Sequence, residues 1–222
     1  MTVPPAGVEY RQPRFAPPPG ATVLLVVRHG ESAPARPDAP FPLVHGRGDP
    51  ELAPEGEDQA ERVGARLAIR GVDAIYVTPL RRTAQTAAPL VARTGLKPVV
   101  VADLMEVGLG EWEGGLYRQR VADRHPLAVR MMTEERWDVI PGAEGLDHLR
   151  ERIRRGVERI AADHADQRVA VFTHGGVIGT IMSMATGSRP FAFNHAENGS
   201  LSEVVVTADR WSVRSFNDTS HL

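Results

Sequence analysis

The sequence contains no cysteine. That excludes disulfide frameworks, thiol nucleophiles and cysteine-ligated metal. No stretch approaches the roughly 20 consecutive apolar residues that a bilayer span needs. The segment Met1 to Gly20 lacks the apolar core of a secretory signal, so the expected compartment is the cytoplasm, with no membrane partner. Charge of one sign is not in excess. The 26 basic residues against 28 acidic ones leave a formal charge of -2. Bulk charge therefore gives no sign of a nucleic-acid partner, although local arginine clusters can still hold a small anion. No internal repeat is visible.

What is present reads as one folded unit. The chain has 222 residues, 42% hydrophobic and 24% charged. This is ordinary for a globular protein and long enough for a substantial core. Residues 1–20 form an expected proline-rich arm, read as a loose terminus. Residues 21–222 form a single expected domain. The run Thr22 to Val27 is continuously aliphatic and β-branched, which predicts a strand buried on both faces. A long loop rich in Pro, Gly and Asp follows, from about Ser32 to Leu52. Pro54, with Glu55, Glu57 and Asp58, opens a helix that stops at Gly71. Ala74 to Val77 is a second strand. Thr78-Pro79 reads as an N-cap and first helical residue, with the helix running to about Arg93. Pro98 to Val101 is a third strand, and Gly108 to Gly115 a glycine-rich loop. Leu146, Leu149, Ile153, Val157 and Ile160 recur at helical spacing, so a helix covers about Asp147 to Asp163. Arg168 to Phe172 is a buried strand, Gly175 to Ala185 a helix, and Leu201 to Thr207 with Trp211 to Arg214 a terminal pair of strands. The alternation predicts an α/β fold with a largely parallel sheet, whose ligands sit at the carboxyl ends of the strands.

Three segments place reactive side chains just beyond predicted strands: Arg28-His29-Gly30-Glu31, Thr78 to Ala87, and Thr173-His174-Gly175-Gly176. All three converge on one sheet edge. Arginine offers a permanent charge and a planar fork of donors that match phosphate oxygens. A neutral imidazole is a competent nucleophile near pH 7, and neighbouring guanidinium groups keep it neutral. Taken singly, each segment has a plain structural reading. Short Arg-His-Gly runs occur by chance, a histidine before two glycines is commonly a turn residue, and Thr-Pro-Leu commonly starts a helix. Their ordered combination is far more specific.

Together these segments resemble the histidine phosphatase superfamily, branch 1, the phosphoglycerate mutase-like proteins. The resemblance runs from about Val23 to Leu201. It includes Leu52 to Gly56 with Gln59-Ala60, the Thr78 to Ala87 element, Glu106 to Gly114, Pro141-Gly142-Ala143-Glu144 and Asn198 to Leu201. It implies a three-layer α/β/α fold with a mostly parallel central sheet. It implies a phosphatase that hydrolyses a small phosphorylated metabolite through a phosphohistidine at His29, without cofactor or metal, and a homodimer. By position, Arg28, Arg82 and His174 form the phosphate pocket with Gly175, and Glu106 is the general acid and then the general base. Glu111 and Glu113 are alternatives for that acid. Arg82, four residues after Thr78, is the match, whereas Arg81 points elsewhere.

One departure stands out. Many members carry an Asn that helps to hold phosphate where this chain has Ala35, and Ser32, His45 or Arg47 are the candidate replacements. Trp112, Trp137, Met131 and Met132 are read as core residues before pocket residues, and His125 and His164 as surface residues. The competing functions are a cofactor-dependent phosphoglycerate mutase and a non-catalytic binding protein on the same fold. The mutase would need a carboxylate clamp, for which the sequence offers only Arg118, Arg120 or Arg124.

Overall fold

A computed structural model describes residues 9–222. The first eight residues of the expected arm lie outside that range. From Glu9 to Gly20 the chain has no regular secondary structure and is exposed. It nevertheless touches the domain. The Arg214 guanidinium sits 3.6 Å from the centre of the Phe15 ring, and the Gly20 N–H donates to the Asp166 carboxylate at 2.6 Å.

Strand β1 (Thr22–Arg28) is buried along almost its whole length, as its aliphatic run requires. The loop after it holds a small hairpin of β2 (Leu43–Val44) and β3 (Arg47–Gly48). Helix α1 (Pro54–Arg70) starts with proline at its first turn, has Glu55 and Glu57 near its positive end, and stops at Gly71 with φ 70°. Strand β4 (Ala74–Val77), helix α2 (Arg81–Thr94) and strand β5 (Val99–Val100) follow. Two short helices come next, α3 (Leu116–Ala122) and α4 (Pro126–Glu134), in a stretch to which the sequence assigns no element. Helix α5 (Leu146–Asp163), β6 (Arg168–Thr173), α6 (Gly175–Thr186), β7 (Leu201–Val206) and β8 (Trp211–Asp218) complete the chain.

The six-stranded sheet has the order β5-β4-β6-β1-β7-β8. The first four strands are parallel, and β7 and β8 are antiparallel additions at one side. Alternate side chains of each central strand go to opposite faces. Val23, Leu25 and Val27 of β1 join Ile75, Phe172, Val63 and Leu67 and the α2 residues Ala87 and Leu90 in one core. Leu24 and Val26 join Val169 and Val171, the α5 stripe of Leu149, Ile153, Val157 and Ile160, and the α6 residues Val177, Ile178 and Ile181 in the other. Each such side chain contributes about 1.5–3 kcal/mol on full burial. The fold is thus three-layered, with α1 and α2 on one face and α5 and α6 on the other.

The expected cap at Thr78-Pro79 is not formed. Helix α2 begins at Arg81, and its N-cap position, Leu80, makes no side-chain cap bond. The Arg81 N–H instead donates to Asp49 Oδ1 at 2.8 Å, so a distant loop satisfies the helix start. At the helix start the Thr78 hydroxyl makes only a local turn, accepting the Leu80 N–H at 3.3 Å, and lies 3.2 Å from Thr83 Oγ1.

Candidate active site

Strands β1 and β6 are in register, with Arg28 opposite Thr173. His29 and His174 therefore leave the sheet together. The His29 N–H donates to the Thr173 carbonyl at 3.0 Å, and the two imidazole rings lie 5.2 Å apart. Thr78 follows β4 on the other side of β6, and its Oγ1 is 2.9 Å from His174 Nε2.

The His29 backbone is held from three sides. The Gly30 N–H donates to Thr86 Oγ1 at 3.0 Å, the Glu31 N–H to Gln59 Oε1 at 2.8 Å, and Asn198 Nδ2 to the His29 carbonyl at 2.9 Å. Gly30 also crosses Gly56 with no room for a side chain. A Cβ on Gly30 would stand 2.4 Å from the Gly56 carbonyl oxygen, and one on Gly56 would stand 2.0 Å from that of Glu31.

His29 is 5% exposed, and its Nδ1 is 2.7 Å from the Gly30 carbonyl oxygen. A carbonyl can only accept, so Nδ1 carries the proton and Nε2 keeps a bare lone pair. Burial, then Arg82 and Arg28, holds this imidazole well below its ordinary pKa of 6.5. His174 is lowered in the same way, first by burial and then by Arg82. Both rings are neutral at pH 7.

The guanidinium groups around His29 are anchored from behind. Arg28 Nη1 donates to the Ala196 carbonyl. Arg82 Nη1 donates to the Gly48 carbonyl at 2.9 Å, and burial pushes Arg82 down to about 10, so it stays cationic at neutral pH. Arg81, as expected, turns away to pair with Asp49. Arg28 Nε and His174 Nδ1 are buried without a partner among the described residues. Unpaired buried polar atoms are costly, and Arg28 lines the cleft beside His29, so its Nε is placed to donate to an anionic ligand there. Gly175 lies beside this space. A Cβ there would stand 3.4 Å from Arg28 Nε, so glycine keeps that donor uncovered.

The sequence reading undervalued Arg118, on α3, which it weighed only as part of a carboxylate clamp. It lines the space next to His29 and adds to the depression of the His29 pKa. Its Nη2 donates to Ser32 Oγ at 2.6 Å and its Nη1 to the Ala33 carbonyl at 2.9 Å. Ser32 therefore reaches the site through Arg118. Arg47 lines the cleft, but its donors go to the Glu106 carbonyl, the His45 carbonyl and Glu144. It acts as a brace rather than an open anion ligand. Without α3 in the sequence reading, nothing marked Arg118 as a neighbour of His29.

Glu106 lines the same cleft of about 250 Å³ as His29, Arg28 and Arg82. Its Oε1 accepts the Val107 N–H at 3.0 Å, and Oε2 makes no hydrogen bond with the described residues. Glu113 also lines the cleft, but its two oxygens accept the Gly48 and Leu109 N–H groups. Glu111 is exposed and outside the cleft lining. A buried network sets the Glu106 backbone. Arg152 donates to the carbonyls of Asp103, Met105 and Glu106, and forms a two-pronged pair with Glu144 at 2.7 and 2.8 Å. Glu144 also takes the Gly108 N–H at 3.2 Å. Burial alone would raise Glu144, but Arg152, the Gly108 N–H and His148 outweigh it and bring it down to about 2.

Trp112 and Trp137 belong both to the core and to the cleft wall, Met131 to the core alone, and Met132 to neither. His125 and His164 are half-buried rather than surface residues. The first accepts the Leu127 N–H at the start of α4, and the second bonds the Tyr76 hydroxyl at 3.0 Å. Among the described residues no group of three or more His, Asp or Glu is arranged to hold a metal ion, and no helix is long and apolar enough to cross a membrane.

A parallel sheet that presents a neutral imidazole, one nitrogen bare, to a ring of guanidinium groups has the form of a covalent phosphoryl-transfer enzyme. The chain belongs to branch 1 of the histidine phosphatase superfamily, whose family model matches residues 24–219. It is 34% identical over 206 residues to phosphoglycerate mutase-like protein 4 of Arabidopsis thaliana, covering 90% of this chain and 86% of that one. It is 33% identical over 210 residues to the metal-independent phosphoserine phosphatase of the same plant, covering 90% and 83%. The mycobacterial glucosyl-3-phosphoglycerate phosphatase structure superposes with a TM-score of 0.72 at 25% identity, covering 90% of this chain and all of that one. A phosphoglycerate mutase from Bacillus anthracis shares the fold, with a TM-score of 0.75 at 22% identity. The chain is a phosphoric monoester hydrolase of the phosphohistidine type.

Proposed function

We propose that His29 is the nucleophile, that Arg28, Arg82, His174 and Arg118 bind the phosphoryl group, and that Glu106 handles the proton. The observation that carries this reading is the bare Nε2 of a neutral His29 in a cleft lined by Arg28, Arg82 and Arg118. Nε2 attacks phosphorus, and the bond from phosphorus to the ester oxygen breaks. Glu106 gives its proton to the departing alkoxide. It then takes a proton from water, whose oxygen attacks phosphorus and breaks the P–N bond. His29 returns neutral, with its proton still on Nδ1 and donated to the Gly30 carbonyl. The guanidinium groups stabilise charge on the three equatorial oxygens throughout. Gly175 keeps the pocket floor open, while Ser32 and Arg47 hold Arg118 and the Glu106 loop in place.

The substrate is a small phosphomonoester. The cleft volume of about 250 Å³ falls just below the roughly 300–1,000 Å³ of drug-sized sites. A panel of phosphomonoesters assayed with wild type and His29→Ala tests this. Wild type should release inorganic phosphate and show phosphate on His29 by mass spectrometry after acid-free quenching. His29→Ala should keep the fold and lose turnover by at least about 1,000-fold. Glu106→Gln should slow alkyl esters by about 100-fold or more while sparing activated aryl phosphates. With 3-phosphoglycerate and a bisphosphoglycerate primer, no isomerisation is expected. Activity retained in His29→Ala, or isomerisation with the primer, overturns the assignment. A cytoplasmic homodimer belongs to the same proposal, tested by cell fractionation and light scattering.

A further inference from the structure

We propose that the outer half of the cleft selects phosphomonoesters of apolar, ring-bearing alcohols over those whose alcohol carries a carboxylate. This rests on the phosphatase reading above. One part of the cleft wall, its inner half, is the cationic ring around His29. The remaining wall, its outer half, is apolar and mostly aromatic, with Phe41, Leu109, Trp112, Tyr117 and Trp137, and Tyr117 adjoins the ring near Arg28 and Glu106. The rings brace one another, with Trp112 and Tyr117 centred 6.5 Å apart, Tyr117 and Trp137 6.2 Å apart, and Trp137 4.7 Å from Phe191. Trp112 and Trp137 are 5% and 7% exposed, so they are fixed faces and not mobile surface groups. Phe41 is held in turn by the Arg118 guanidinium, 5.3 Å from its centre.

The charged groups in this outer wall are engaged by the protein. Arg47 directs three of its five N–H groups to two carbonyls and Glu144, and Glu113 accepts two backbone N–H groups. Arg118 is tied to Ser32 and Ala33 at the ring around His29. A carboxylate beside the ester oxygen would meet aromatic faces and the carboxyl groups of Glu106 and Glu113, and the one further cation of the cleft wall among the described residues, Arg47, is already paired with Glu144. A carboxylate taken from water without a partner is costly, whereas a planar apolar group gains by burial and by stacking.

Steady-state kinetics with benzyl phosphate, O-phosphoserine and 3-phosphoglycerate test the proposal. All three are alkyl esters, so intrinsic reactivity does not favour the benzyl compound. Wild type should show a kcat/KM for benzyl phosphate about 10-fold or more above the other two, mainly through KM. Phe41→Ala, with Tyr117→Ala as the second variant, should narrow that ratio by raising KM for benzyl phosphate. Thermal melts identify a variant that fails to fold, and the wild-type ratio stands without either. Equal efficiencies, or a preference for O-phosphoserine or 3-phosphoglycerate, overturn the proposal while leaving the phosphatase reading intact. No turnover of any of the three, with no phosphate on His29, overturns both.

Discussion

At the scale of single residues, the site turns on one proton. In the proposed mechanism His29 attacks as the neutral imidazole, and burial and the nearby arginines hold its pKa well below 6.5. An ordinary histidine would be half protonated near pH 6.5. The free enzyme should therefore keep its kcat/KM toward an activated aryl phosphate, which needs no proton from Glu106, as the pH falls from 7.5 to 6. An acid limb with its midpoint at 6.5 or higher would contradict a desolvated nucleophile. The position of this residue was legible in the sequence, because a strand followed by Arg-His-Gly places the imidazole at the sheet edge. The role of Arg118 was not. Its partner Ser32 is 86 residues away in the chain, and only the packing of α3 brings them together.

At the scale of elements, the acid loop is held by its neighbours. Gly176, on the first turn of α6, faces Glu106. A Cβ there would lie 2.7 Å from Val107 Cγ2 and 2.8 Å from Glu106 Oε1. Gly176→Ala should thus push Glu106 aside and lower kcat for alkyl phosphates on the order of 100-fold, with little change for aryl phosphates. Equal losses for both ester types would mean that the whole pocket had shifted. Glu144 is the second support. Glu144→Ala strands Arg152 in the interior and should cost about 3–5 kcal/mol in urea unfolding. The Pro-Gly-Ala-Glu motif marked this residue as notable, but its task depends on α5 delivering Arg152. The start of α2 shows the same limit. Thr78-Pro79 has the local form of a cap, yet Asp49 supplies the bond from a loop 32 positions earlier. Helices α3 and α4 were missed because they are seven and nine residues long, too short for an apolar stripe to stand out.

At the scale of the whole molecule, the two buried histidines couple chemistry to stability. Both have folded-state pKa values below those of the unfolded chain. Below pH 6.5 the unfolded chain therefore binds protons that the folded one refuses, and stability falls with pH. Each histidine contributes a slope of up to about 1.4 kcal/mol per pH unit. Glu144, down at about 2, works in a lower window: its stabilisation is present above about 4.5 and is lost between there and 2. Urea midpoints should drop steadily from pH 6.5 to 5, and His29→Asn should flatten part of that slope. A midpoint constant over this range would count against the buried neutral pair. The sheet itself was readable because its central strands are short, uninterrupted β-branched and aliphatic runs bounded by turn residues. Apolar spacing likewise marked α5 in one layer, and the proline start and glycine stop marked α1 in the other. Strand order was not readable, because it arises from long-range pairing.

The crossing of Gly30 and Gly56 ties the turn that carries His29 to the start of α1 by main-chain contact, with the bond from the Glu31 N–H to Gln59 Oε1 beside it. At the crossing itself no side chain can be trimmed, enlarged or swapped to loosen the joint by degrees. Fraying of the first turn of α1 and loss of the attacking group are then a single event. Amide exchange at Gly56 and Glu57 and the heat-inactivation rate should share one activation barrier, making this joint the weak point of the working enzyme.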